Sequence, residues 1–140
     1  MGALRIEASE LLGYVLPRCP SDAGAIYGST WSLTMDGRLD FARCDSITPY
    51  SYLGQLRTGS VVVDGGQLAR FDAAMGALTR NNDMTCRADS DVLVLEVETP
   101  AGTFRYKTAE FACNDLEPTR TTYVDGITDI FSLLREWSAP

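Results

Sequence analysis

Hydrophobic and polar positions alternate with the period of a strand in several stretches of the chain, and recur with the period of a helix in two others. Cys86 to Cys113 organises the reading: the apolar run Val92 to Val97 ends at Thr99-Pro100-Ala101-Gly102, and a second extended run starts at Thr103. With Thr99 to Gly102 as the loop, Glu98 faces Thr103, Val97 faces Phe104, Leu95 faces Tyr106 and Glu96 faces Arg105. That register gathers the large apolar groups on one face and puts an ion pair on the other. It leaves Lys107 across from Val94 on the outer, solvated face.

Ser29 to Cys44 reads as another hairpin. A turn on Asp36-Gly37 alone would set Leu33 against Asp40, whereas a loop Met35-Asp36-Gly37 sets Leu33 against Leu39 and Trp31 against Phe41. The second register gives one apolar face and puts Gly37 where a left-handed residue is needed. Leu4, Ile6 and Ala8 alternate with polar residues as a weak strand, and Gly13 to Leu16 and Ser60 to Val63 are short extended pieces. A helix from Ser9 would be stopped by Gly13 and Pro17. Pro17 to Gly28, Asp45 to Thr58 and Asn114 to Thr122 read as loops.

Asp64 followed three residues later by Gln67 is a capping-box pair, and Leu68, Phe71, Met75 and Leu78 form a helical stripe ended by Asn81-Asn82. Asp125 is the expected cap of a second helix with the stripe Ile127, Ile130, Phe131, Leu134 and Trp137. Hairpin and then helix, twice, predicts an α+β fold: an antiparallel sheet of about five strands with both helices on one face. Trp31, Leu33, Leu39, Phe41, Leu95, Val97, Phe104 and Tyr106 form the expected sheet side of the core. The 140 residues make one domain, 1–140.

The net charge of -7 and the scattering of 12 basic residues argue against nucleic acid or an anionic membrane as partner. No apolar run is long enough to span a membrane. There are four cysteines, no C-x-x-C pair and no histidine, which argues against a zinc site. Even, widely spaced cysteines favour two disulfides over reduced buried thiols, hence a secreted or periplasmic protein whose signal peptide preceded Met1 and has been removed. Of the three connectivities, the central register brings Cys86 to Cys113. Cys19 with Cys44 follows mostly by elimination, helped by a Pro17 to Gly28 segment that can fold back.

Without histidine the usual nucleophile-base pairs are absent, and Lys107 is the only lysine. Asp83, Asp89 and Asp91 could supply carboxylates, but Asp89-Ser90-Asp91 reads better as a solvated turn than as a catalytic pair or calcium loop. Gly65-Gly66 is no phosphate cradle, because Asp64 caps that helix and no lysine flanks it. The expectation is therefore a protein with no catalytic residues, no metal and no cofactor. Its most recognition-like segment is Ile47 to Arg57, with Tyr50, Tyr52, Gln55 and Arg57 as candidate binding residues. The runs WSLTMDGRLDFARC, EFAC and TYVDGITDIFSLL resemble small exported bacterial domains of uncharacterised activity, with the same order of hairpin, capped helix, hairpin with a cysteine, and terminal helix. The resemblance spans Trp31 to Trp137 and implies no activity. The functional expectation is a non-enzymatic exported binding module with a protein or glycan partner outside the cytoplasm. The alternatives are an inhibitor of a secreted hydrolase and a carboxylate-based enzyme acting on glycans.

Overall fold

A computed structural model describes residues 3–12, 17–22, 24–48, 52–81, 92–108 and 121–140. The strands are β1 (Arg5–Leu12), β2 (Arg18–Ser21), β3 (Gly24–Tyr27), β4 (Thr30–Thr34), β5 (Arg38–Ser46), β6 (Gly54–Val62), β7 (Thr79–Arg80), β8 (Val92–Thr99), β9 (Gly102–Thr108) and β10 (Thr121–Asp125). The helices are α1 (Gly65–Gly76) and α2 (Ile127–Trp137). Eight strands form one sheet in the order β6-β5-β4-β1-β8-β9-β10-β7, while β2 and β3 form a separate two-stranded ribbon.

This overturns the expectation of an α+β fold with about five strands. The described residues are mostly β, with two short helices among them. The difference arises where Gly, Pro and small residues mimic loop signals. Pro17 to Gly28 holds the ribbon, with Cys19 opposite Ile26 and Pro20 opposite Ala25. Asp45 to Thr58 is not one irregular segment, because β5 continues to Ser46 and β6 starts at Gly54. Ser9 lies in β1 and not in a helix.

The two hairpin registers are those the apolar alternation demands. Leu33 pairs with Leu39 and Trp31 with Phe41, and Gly37 adopts φ 89°. Val97 pairs with Phe104, Leu95 with Tyr106 and Glu96 with Arg105. Between these hairpins lies β1, antiparallel to β4 on one side and to β8 on the other. Ile6 and Ala8 thereby join Trp31, Leu33, Leu39, Phe41, Leu95 and Val97 in a core that also takes Phe71 from α1 and Ile127, Ile130, Phe131 and Leu134 from α2. The Trp31 and Phe131 rings meet edge to face at 5.6 Å.

Several local expectations need correction. The capping box of α1 forms, with Asp64 and Gln67 each accepting the other's backbone N–H at 2.8 Å. That helix stops at Gly76, however, and Thr79–Arg80 leaves it to pair with β10. Helix α2 is preceded by Gly126 at φ 95° and has no side-chain cap, since Asp125 belongs to β10 and accepts from Asn81 Nδ2 at 2.9 Å. Strand β10, unforeseen within a loop, runs parallel to β9 and sets Tyr123 beside Lys107. Lys107 is only 8% exposed, not solvated, on an outer face where Val92 and Val94 are also buried. Phe104, expected in the core, is 48% exposed.

Arginines fasten the end of α2 to the sheet. Arg43 donates to the Arg135 carbonyl at 3.0 Å, and Arg57 donates to the carbonyl of Ser138. The buried Ser138 hydroxyl accepts from Trp31 Nε1 at 2.9 Å and donates to the Leu134 carbonyl at 2.7 Å. Arg135 in turn pairs with the nearly buried Glu10 at 3.2 Å and lies over Trp31.

Candidate functional site

The ribbon is fixed to the sheet by a disulfide between Cys19 of β2 and Cys44 of β5, with the two Cα atoms 5.8 Å apart. Both cysteines are buried. Gly54, at the start of β6, lies against this bridge: a Cβ there would stand 2.7 Å from Cys19 Sγ and 2.8 Å from Cys44 Sγ. The close approach is the reason for glycine at a position that β-propensity disfavours. Arg18 N–H donates to the Tyr52 carbonyl at 2.7 Å and Arg18 bridges Leu53 in parallel, so the β5–β6 connection is tied to the ribbon as well.

Strand alternation dictates what this end of the molecule shows to solvent. Cys19 turns inward, so its neighbours Arg18 and Pro20 turn outward, and their partners Tyr27 and Ala25 share that face. Arg18, Pro20, Ser21, Gly24, Ala25 and Leu53 line a cleft of about 420 Å³. Tyr27, Ile47, Tyr52 and Leu53, all at this end, are 58 to 66% exposed. Four large apolar side chains concentrated on one braced end form the strongest candidate contact surface among the described residues.

Of the sequence-predicted binding residues, Tyr52 belongs to this surface. Gln55 is exposed on β6 opposite Asp45. Arg57 is engaged elsewhere, with its guanidinium 5.0 Å from the Phe41 ring centre and bonded to the Ser138 carbonyl. It stitches β6 to the residues that follow α2. Tyr50 lies outside the described residues, as do Cys86, Cys113, Asp83, Asp89 and Asp91. Tyr27, Leu53 and Arg18 were missed by sequence reasoning. The alternation Cys19/Pro20 against Ala25/Ile26/Tyr27 carried a signal for a ribbon, but Pro20 and the flanking glycines obscured it.

The outer face of the main sheet carries a polar row between β6 and β9. The row crosses it as Ser60, Asp40, Ser32, Glu7, Glu96 and Arg105. Glu7 is bonded to Arg5, and Arg38 to Asp40 at 3.0 Å. Hydrogen bonding from Ser60 and Arg38 holds the Asp40 carboxyl below its ordinary value, and hydrogen bonding from Thr34 and the Arg38 backbone does the same for Asp36. No group of three or more potential metal ligands occurs among the described residues. None of the described helices is long and apolar enough to cross a membrane. The disulfide is compatible with an oxidising compartment outside the cytoplasm.

No protein-family model matches the chain, and no curated protein matches it.

Proposed function

We propose that this protein is a non-enzymatic recognition module working outside the cytoplasm, secreted or periplasmic, with the ribbon end as its contact surface. The observation that carries this reading is the clustering of Tyr27, Ile47, Tyr52 and Leu53 on a disulfide-braced end. Bracing lowers the ordering entropy lost on binding, and tyrosine offers a large contact area for few rotatable bonds. The apolar character of the cleft, with Pro20, Ala25 and Leu53 in its wall and Arg18 as its cation, favours a protein partner over a glycan.

Carboxylate catalysis on glycans has less support. A general acid needs its pKa raised, and among the described residues the carboxyls of Asp36 and Asp40 are both held down. Inhibition of a secreted hydrolase is the recognition reading with one class of partner specified, and it rests on the same surface.

The test is affinity capture from an extracytoplasmic fraction, followed by quantitative binding to the purified partner. Tyr27→Ser with Leu53→Ser should abolish binding while Gln55→Ala leaves it intact. Glycan turnover by the purified protein that is lost with a single carboxylate-to-amide change would replace this reading with the enzymatic one.

A further inference from the structure

Strand β6 is the edge of the eight-stranded sheet, and its free side can be located from the hydrogen bonds at its two ends. Ile47 N–H donates to the Leu53 carbonyl, and Val63 N–H donates to the Gly37 carbonyl. The β5–β6 register is unbroken between them, so odd-numbered residues of β6 point their backbone groups at β5. Leu56, Thr58, Ser60 and Val62 therefore point theirs outward. At one end of this free segment the ribbon takes the Tyr52 carbonyl through Arg18. At the other, the capping box takes Asp64 N–H. On the side away from β5, no described strand pairs with Leu56 to Val62 in between.

Exposed edges are ordinarily blunted by proline, lysine, bulges or brevity. Strand β6 has none of these: its nine residues GQLRTGSVV include no Pro or Lys, and its one charge is turned to Phe41 and Ser138. The opposite edge, β7, is two residues long. We propose that the Leu56–Val62 edge pairs antiparallel with the same edge of a second copy of this chain, about a two-fold axis at Gly59.

The axis follows from excluding its neighbours: a centre at Ser60 would carry Leu56 to Asp64, whose N–H the capping box already takes. Centring on Arg57 would set guanidinium opposite guanidinium. A centre at Thr58 would carry Val62 to Gly54, where the ribbon already sits. With Gly59 at the centre, the pairing uses only the free segment and matches like with like: Leu56 with Val62, and Thr58 with Ser60. Val62, 80% exposed in the single chain, gains a leucine as its cross-strand neighbour. All four outward N–H groups and all four outward carbonyls of each copy find partners. The two glycines meet at the axis, and each is roofed by its own Phe41 ring, since a Cβ at Gly59 would lie 2.6 Å from Phe41 Cζ. The pairing uses no residue of the ribbon and its test reads association of the chain with itself, so its failure and that of the recognition reading are distinguishable.

Sedimentation equilibrium on the intact protein across its soluble concentration range tests the proposal. A dimer is expected, with Thr58→Pro and Val62→Lys each raising its dissociation constant roughly tenfold or more. Neither change touches a bond to β5, and far-UV circular dichroism confirms that each variant folds. A third variant, Thr58→Cys with Ser60→Cys, should cross-link on oxidation, joining position 58 of one copy to position 60 of the other. A monomer at every concentration overturns the proposal. So does a dimer indifferent to both substitutions, or a cross-link that joins 58 to 58.

Discussion

Replacing Cys19 and Cys44 together by alanine removes the bridge that holds the ribbon on the sheet. The loop it closes spans 25 residues. In the chain-entropy treatment such a loop contributes about 3.5 kcal/mol at room temperature, by restricting the unfolded chain. A second effect is local. Gly54→Ala alone would drive a methyl against both sulfurs, at 2.7 and 2.8 Å, and against Pro17 Cβ at 3.0 Å. Overpacking of that kind costs about 1–3 kcal/mol. With both sulfurs gone, the methyl has room and only the Pro17 contact remains. The two perturbations must therefore couple. Urea unfolding of the wild type, Gly54→Ala, the double cysteine variant and the triple variant closes the cycle. The expected coupling is about 1 kcal/mol or more, with the triple variant more stable than additivity predicts. Additive costs would show that Gly54 is not a glycine for the sake of the bridge. A disulfide loss below about 1 kcal/mol would refute the entropic estimate.

Three further outcomes are open to the same unfolding measurements. Ser138→Ala should cost about 1–3 kcal/mol, because the buried Trp31 indole N–H then loses its acceptor. Asp64→Ala should cost about 1 kcal/mol by removing the capping box, with most of the loss seen in the local exchange rates of α1. Asp40 has its folded pKa depressed below 3.8, so its stabilisation is complete above that value and disappears as pH falls through the folded one. Asp40→Asn should flatten the acid limb of the stability curve, and Ser60→Ala should flatten it in part, because the Ser60 hydroxyl is the larger cause of the shift. A limb unchanged by both would show that Asp40 is not held by these partners.

What the sequence made legible was local. Both hairpin registers follow from residues within one turn of each other, and the apolar face decides between alternatives such as Leu33 against Leu39 or Asp40. The stripe of α2 was legible for the same reason. Non-local pairing was hidden. Thr121 to Asp125 makes a strand only because β9 offers a parallel partner, and that partner also explains the burial of Lys107 beside Tyr123. Close packing reversed the meaning of Gly54 and Gly59, which look like loop residues yet accommodate a disulfide and a Phe41 ring. At the candidate site, Tyr52 was legible as an aromatic near a turn. Tyr27 and Leu53 were not, because their exposure depends on which way a ribbon faces. The central position of β1 had no local signature beyond Ile6 and Ala8.

That position sets a timetable for synthesis. Strand β1 leaves the ribosome before its partners, yet its Arg5 pairs with Thr34 on one flank and with Glu98 on the other. At about 5–20 residues per second, its far neighbour follows on the order of ten seconds later. Until then, any β1–β4–β5 intermediate leaves the other edge of β1 bare, with an incomplete core behind it. Holding the complete chain unfolded until β8 is available would avoid that interval. Chain held in the cytoplasm as it is made should accordingly accumulate as aggregates nucleated at β1, and Ile6→Lys would reduce their formation while also removing the native fold.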